Sequence, residues 1–304
     1  MQVVSCKLSL AGCLLQEFSE EACSVVKTVH KIAVARVAYR ALHQLRKFAG
    51  LSDRCVVARN GMIYDLDLAE GIEFAVYLRI FERSTSRVLR NLVRPGDRVL
   101  DIGANIGVQS LLMASLVGAK GHVYSFEPTA YAVCKLHNNL NHNPGLASRV
   151  SVFHCFLSDA DSNEAPETIY SRWPLTATEG LHSKHLGLSM PTNGAPSRRL
   201  DALLLELGNP NIDLVKMDVD GFEVQVLRGA SVLLSQTRPI FVTELAPYVL
   251  DERGSSLEEL LLVFEQYGYR LFSERTGQEL PYQPQRLRKL VPDGSSINVI
   301  ARAI

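Results

Sequence analysis

Three groups of residues in this chain have types and spacings suited to chemistry. The first is Asp101-x-Gly103-x-Asn105-x-Gly107, where the apolar run "VLDIG" ends in an acid and a glycine turn. The second is Glu127 with Pro128 at the end of "VYSFEP", 26 positions after Asp101. The third is a concentration of carboxylates: Asp218, Asp220 and Glu223 in "KMDVDGFE", and Glu244 in "VTELAP". A strand followed by a glycine turn usually holds a nucleotide-like ligand. A dinucleotide turn wants G-x-G-x-x-G, but counted from Gly103 this chain has Asn105 and Val108 at the second and third glycine places. No Gly-Lys-Ser/Thr follows, so a P-loop is excluded as well. An acid at the strand end beside such a turn suits a ligand with positive charge and no phosphate.

S-adenosylmethionine is a ligand of that kind. Its sulfonium and ammonium are cationic, its carboxylate can meet backbone amides, and its ribose needs an acceptor. Glu127 stands where nucleotide folds place that acceptor, at the end of the second strand.

The elements that must position these residues alternate. "RVLDIG", "HVYSFEP", "VSVFHCFLSD", "IDLVKMDVDG", "PIFVTELAP" and "NVIARAI" read as strands. Between them "VQSLLMASLVGA", "AYAVCKLHNNLNHN", "LDALLLELG", "EVQVLRGASVLLSQ" and "LEELLLVFEQYGY" read as helices, with Asp201 as a cap for the third. This order predicts a doubly wound α/β fold with a mostly parallel sheet covered on both faces. Upstream, "RCVVARNGMIYDLDL" reads as a hairpin turned at Asn60-Gly61, and one helical stretch is expected from about 70 to 93. Residues 160–198 lack periodicity and are expected to form a substrate-side loop, with His182 and His185 solvated within it.

The ordered set "PGDRVLDIGANIG", "VYSFEP", "LHNNLNHN", "RRLDALL", "DLVKMDVDGFEVQVLRGA" and "RPIFVTELAP" resembles the FkbM family of S-adenosylmethionine-dependent methyltransferases. The likeness runs from about Asp65 to the C-terminus. It implies a class I methyltransferase (Rossmann-like) domain over 51–304, with core motifs at 95–250, and O-methylation of a hydroxyl on a sugar, glycolipid or natural product. One departure is Asp220, where the family more often has Glu. The resemblance also puts Asp159, at the end of "FLSD", beside the adenine.

Methyl transfer to a hydroxyl needs alignment and removal of a proton. Asp218 is expected to face the reacting centre as base or orienting acceptor, with Asp220 and Glu244 shaping the same acidic mouth. Glu223 is expected to serve the start of a helix instead. Asn138 is a candidate for a hydrogen bond to the cofactor loops, and Glu82 and Thr85 for the methionine end. Mg²⁺ held by these strand-end carboxylates is a secondary expectation. A cofactor-binding or scaffold protein that keeps the fold without turnover is the alternative function, which loss of the motif acids would favour; Asp101, Glu127 and Asp218 are all present.

The bulk properties limit the partners. Lys+Arg and Asp+Glu are both 32, so no global field draws the chain to nucleic acid. There is no N-P-P-[YFW] motif of the kind that amino-group methylases use to hold a flipped base. The partner expected is a small-molecule or glycan acceptor. Cys6, Cys13, Cys23, Cys55, Cys134 and Cys155 show no C-x-x-C pairing and read as free thiols in a reducing cytoplasm. Residues 1–50 read as a helical extension. Within it, Val34, Val37, Ala38, Ala41, Leu42 and Leu45 form an apolar stripe beside several arginines and lysines. That stripe is expected to cover the main domain; peripheral membrane contact through residues 27–47 is the second reading.

Overall fold

A computed structural model describes residues 28–162 and 164–304. The extension before residue 28, with Cys6, Cys13 and Cys23, lies outside the described residues. Helix α1 (Thr28–Phe48) leads into a hairpin of β1 (Arg54–Arg59) and β2 (Met62–Asp67). Arg59 pairs with Met62, and Asn60 (φ 52°) and Gly61 (φ 83°) adopt the left-handed backbone that a two-residue turn demands. The single helix expected over 70–93 is two, α2 (Gly71–Tyr77) and α3 (Arg83–Leu92). Arg79 (φ 62°) and Glu82 (φ 37°) both sit in the left-handed region between them, so the helical path cannot continue.

The doubly wound core then begins: β3 (Arg98–Ile102), α4 (Val108–Val117), β4 (His122–Phe126), α5 (Ala130–Asn141), the short α6 (Pro144–Ala147) and β5 (Val150–Phe153). An excursion follows with β6 (Phe156–Leu157), β7 (Thr168–Arg172), β8 (Leu188–Pro191) and β9 (Ser197–Arg198). The chain returns through α7 (Leu200–Glu206), β10 (Leu214–Met217), α8 (Glu223–Arg228), β11 (Ile240–Leu245), α9 (Pro247–Glu252), α10 (Leu257–Gln266), β12 (Tyr269–Ser273), α11 (Pro284–Leu290) and β13 (Ile297–Ala303).

Seven strands form one sheet in the order β12-β13-β11-β10-β3-β4-β5. The five from β11 to β5 are mutually parallel, and β13 runs antiparallel to both its neighbours. Strand order reverses between β3 and β10, so the crevice at their carboxyl ends is the place for a ligand. Both faces are buried. Leu100 and Ile102 of β3 enter one core with Val215, Met217, Phe241 and Phe264, while Val99 enters the other with Leu112, Val123, Leu214 and Val242. Phe241, Phe264 and Tyr269 meet pairwise at 5.6 Å between ring centroids, and truncating such a buried ring costs about 3–5 kcal/mol.

Three expectations are corrected at this level. The helix read through Tyr269 stops at Gln266, because Gly268 (φ 73°) turns the chain and Tyr269 opens β12, a strand the sequence reading lacked. Asp201 does not cap its own helix. Its carboxylate accepts from the N–H groups of Val232 (2.8 Å) and Leu233 (3.0 Å), starting the helical turn over Leu233–Thr237. The segment 160–198 is ordered around an antiparallel β7–β8 pair and is bridged to Glu70 through Pro174.

Helix α1 docks on the domain, though by a different face from the one read in the sequence. Ile32 and Tyr39 are buried, and Ala35, Ala38 and Leu42 pack beside them against a core that includes Tyr64, Leu66 and Phe74. The Tyr39 hydroxyl donates to Asp53 (2.9 Å), His43 pairs with the same carboxylate (2.6 Å), and Arg36 donates to the Pro174 carbonyl (3.2 Å). Of the expected stripe, only Ala38 and Leu42 face inward; Val34, Val37, Ala41 and Leu45 face out.

Candidate active site

The glycine turn after β3 alternates its backbone hand: Gly103 (φ 77°), Asn105 (φ 47°) and Gly107 (φ 85°) are all left-handed. Asparagine tolerates that region better than most residues, which explains why it stands where a glycine is otherwise expected. Gly103 is needed for packing too, since a Cβ there would overlap the Asp218 carbonyl oxygen. The ends of β3 and β10 are thereby drawn together, and Asp218 N–H donates to Ile102 O (3.0 Å). Glu127 is buried against the turn. Its Oε2 accepts from Asn105 N–H (3.0 Å), and its Oε1 accepts from the Thr129 N–H (2.9 Å) and hydroxyl (2.6 Å). Burial raises its pKa against those three donors. Pro128 follows, half-buried, with its carbonyl accepting from His154 Nε2 (3.0 Å).

Asp101 is turned towards Lys216 and Ser110. It is 0% exposed, and Oδ2 accepts from the Ser110 hydroxyl (2.5 Å), which in turn accepts from Ser125 (2.9 Å). Register explains the cluster: Ser125 pairs with Asp101 across β4–β3, and Asp101 pairs with Lys216 across β3–β10. The buried Lys216 ammonium lies 3.7 Å from Asp101 Oδ1 and 3.6 Å from Asp218 Oδ2, and donates to Gly103 O (3.2 Å). Burial acts to lower the Lys216 pKa, but Asp218, Asp101, Glu82 and Glu244 outweigh it and hold the ammonium above its ordinary value. Lys216 is the residue the sequence reading missed. Its signal was legible, since it is the one charged side chain inside the apolar strand "LVKM".

Asp218 is the shared neighbour of the acids. Its side chain is 32% exposed, against 7% for Lys216, so this carboxylate bridges the buried ammonium and the outside. Glu82, brought in by the break between α2 and α3, accepts from Gln109 Nε2 (2.8 Å). Burial raises its pKa to about 7, with Asp218 and Asp101 adding and Lys216 opposing. Burial, Asp218 and Glu223 raise Asp220 to about 8, with Arg253 opposing. Glu223 lies in the first turn of α8, as expected, and accepts from Gly221 N–H (3.4 Å); burial first and Asp218 next lift it to about 7. Glu244 accepts from the Ser296 hydroxyl and is pushed well up by burial, Asp218 and Asp220. Asp220 has φ 48°, so the shorter Asp in place of the family's usual Glu occupies a left-handed position that Asp tolerates well.

Several expected residues make other contacts in the ligand-free chain. Asn138 is exposed on α5, and the residue beside it does the bridging: Asn139 Oδ1 accepts from Asp65 N–H (2.9 Å) and Nδ2 donates to Ile106 O (2.8 Å). Thr85 is buried in α3, where its hydroxyl accepts from Asn298 (2.8 Å). Asp159 is exposed, its Oδ1 accepting from the Ser158 hydroxyl (3.1 Å). His182 and His185 are not solvated. They stack at 3.9 Å, His185 is buried with its pKa lowered to about 4, chiefly by burial, and His182 pairs with Glu252 (3.2 Å). Among the described residues no three His, Cys, Asp or Glu side chains converge as metal ligands.

Beside the glycine turn a small crevice is lined by Glu70, Asn105, Tyr131, Ser171, Arg172 and Trp173. Glu70 Oε2 and Ser171 Oγ are buried there without a hydrogen-bond partner. Arg172 pairs with the other Glu70 oxygen and stacks on Tyr131, and Asn105 Nδ2 donates to Ser171 O (3.2 Å). The excursion after β5 therefore forms one wall over the turn.

A family model described as the methyltransferase FkbM domain matches residues 101–271, more than half of the chain and the span that holds the turn, Glu127 and the acids of β10 and β11. The chain belongs to this family. This FkbM methyltransferase is 28% identical to the 2-O-methyltransferase NoeI of Sinorhizobium fredii, over 64% of this chain and 86% of that protein. It is 26% identical to the hexuronic acid methyltransferase AglP of Haloferax volcanii, over 53% of this chain and 61% of that protein. A solved FkbM methyltransferase from Methylobacillus flagellatus aligns with a TM-score of 0.41 at 17% identity, covering 75% of this chain and 53% of that one. The cofactor implied by the family is S-adenosylmethionine, and the donor set suits it. Asp218, Asp101, Glu82 and Glu244 surround the ammonium of Lys216, Asp220 and Glu223 adjoin Asp218 with Arg253 opposing at Asp220, and Asp101 Oδ1 is buried with no hydrogen-bond donor. A sulfonium and an ammonium would relieve that surplus of acid.

Proposed function

We propose that this FkbM methyltransferase O-methylates a hydroxyl of a sugar, glycolipid or related natural product, with Asp218 as the group that takes the hydroxyl proton. The observation that carries the reading is the position of Asp218 at the switch point. It is partly exposed at its outer side and held from within by Lys216 at 3.6 Å. S-adenosylmethionine, when bound, supplies an electrophilic methyl on a sulfonium. Glu127, fixed by three donors from Asn105 and Thr129, is the acceptor for its ribose hydroxyls; the Gly103–Gly107 turn and Glu82 serve its methionine end. Lys216 is a positioning residue, holding the Asp218 carboxylate from within. Asp218 accepts the proton and can release it to water through its exposed side. Asp220 and Glu244, whose pKa values burial raises, shape the same acidic mouth. Asp101 acts from behind, through Lys216 and Ser110.

The relatives' names support the class, one for transfer to oxygen and one for a hexuronic acid.

The test is a screen of saccharides, uronic acids and glycolipids with isotopically labelled cofactor, run beside Asp218→Asn. Label in a methoxy group, with turnover in Asp218→Asn down about 10²–10⁴-fold and cofactor affinity retained, is the expected result. Turnover of the folded variant close to wild type would remove Asp218 from the role.

A further inference from the structure

The chain as a whole is neutral, with 32 basic and 32 acidic residues, but the charge is not evenly spread. From residue 28 to 63 there are seven Lys and Arg (Lys31, Arg36, Arg40, Arg46, Lys47, Arg54, Arg59) against one acid, Asp53. That acid is already engaged by Tyr39 and His43. Helix α1 has no Asp or Glu at all in its 21 residues.

Its inner face is spent on the domain through Ile32, Tyr39 and their neighbours. Its outer face carries Val34, Val37, Ala41, Leu45 and Phe48, at the three- and four-residue spacing that keeps side chains in one row. The four large ones are between 51% and 95% exposed, and Leu51 beyond the helix end is 55% exposed. At 3.6 residues per turn, Lys31 borders the row on one side, and Arg40 and Lys47 border it on the other. All three are exposed. A single exposed apolar residue is ordinary, but a continuous row marks a contact surface.

We propose that the outer face of α1 seats this protein on the surface of an anionic lipid bilayer. The helix lies in the plane of the surface, with Val34, Val37, Leu45 and Phe48 in the acyl boundary and Lys31, Arg40 and Lys47 at the headgroup phosphates. An apolar row bordered by cations fits that occupant on both counts. A protein groove would take the row without needing cations along its two edges, and nucleic acid would take the cations without the row.

The experiment floats the full chain with vesicles of phosphatidylcholine containing about one third phosphatidylglycerol, and with pure phosphatidylcholine. Binding to the anionic vesicles is expected, weakened at about 1 M salt, where screening is nearly complete. The double variant Val37→Glu, Leu45→Glu is expected to lose at least about tenfold in partitioning. Its thermal unfolding should match wild type, because both side chains face away from the fold. Failure of the full chain to float with anionic vesicles overturns the proposal, and so does undiminished binding by the double variant.

Discussion

Replacing Lys216 with methionine keeps the length of the side chain and deletes its charge. The wild-type ammonium sits at 3.7 Å from Asp101, 3.6 Å from Asp218 and 3.2 Å from the Gly103 carbonyl. Asp218 is partly solvated, so its share of the loss is screened. Asp101 is wholly buried, and without Lys216 only the Ser110 hydroxyl faces its carboxylate. Removing one partner of a buried pair costs about 3–5 kcal/mol, which for a domain of this size lowers Tm by on the order of 10 °C. The stranded Asp101 can escape by binding a proton. The deficit relative to wild type is therefore largest at high pH and shrinks as pH falls. Asp101→Asn added to Lys216→Met should cost less than the two single losses summed, because it removes the unpaired charge. Thermal and urea unfolding from about pH 5 to 8 measures all of this. A loss below about 1 kcal/mol, or one that is independent of pH and additive with Asp101→Asn, would refute the idea that Lys216 neutralises the buried acid.

The two neighbouring asparagines of α5 make a paired test. Asn139→Ala leaves Asp65 N–H and Ile106 O without their partner and should cost about 1–3 kcal/mol for each, whereas exposed Asn138→Ala should stay within about 0.5 kcal/mol; equal effects in urea titrations would contradict the assignment. The raised carboxylates predict a pH trend. Glu82 and Glu223 titrate at about 7 and Asp220 at about 8 in the folded chain, above their unfolded values, so the ligand-free fold holds these protons longer. Its stability should fall as pH rises from about 4 to 8, a trend that a thermal-shift series would show to be wrong if Tm were flat or rising there. Over the same window the cationic cofactor should gain affinity relative to its uncharged-sulfur product S-adenosylhomocysteine, with proton release on binding, which titration in buffers of different ionisation enthalpy detects.

Much of the fold was legible because its signals are local. Strand–helix alternation is written in runs of five or six apolar residues, and Asn60-Gly61 needs a left-handed pair wherever it occurs. The spacing of Asp101, Glu127 and Asp218 follows from successive strand ends. What was not legible depends on partners distant in the chain. A helix's phase is readable, but which of two apolar faces meets the domain is not; α1 docks through Ile32 and Tyr39 because Phe74 and Asp53 lie opposite. The same ambiguity separates Asn138 from Asn139. The β7–β8 pair was hidden because the buried face of β7 carries polar Ser171 beside Ile169, while Tyr170 meets His185 edge-on and takes Arg253 over its ring. Asp101 could be recognised as important, but its meeting with Lys216 depended on the register between β3 and β10.

Calorimetric titration of the folded chain with S-adenosylmethionine and with S-adenosylhomocysteine, repeated on Glu127→Ala, tests the account where it is most exposed. One site per chain for each compound, with both losing at least about tenfold in Glu127→Ala for want of the ribose acceptor, is the result it predicts. Heat of neither compound binding to correctly folded wild-type protein, or full affinity without the Glu127 carboxylate, would contradict it.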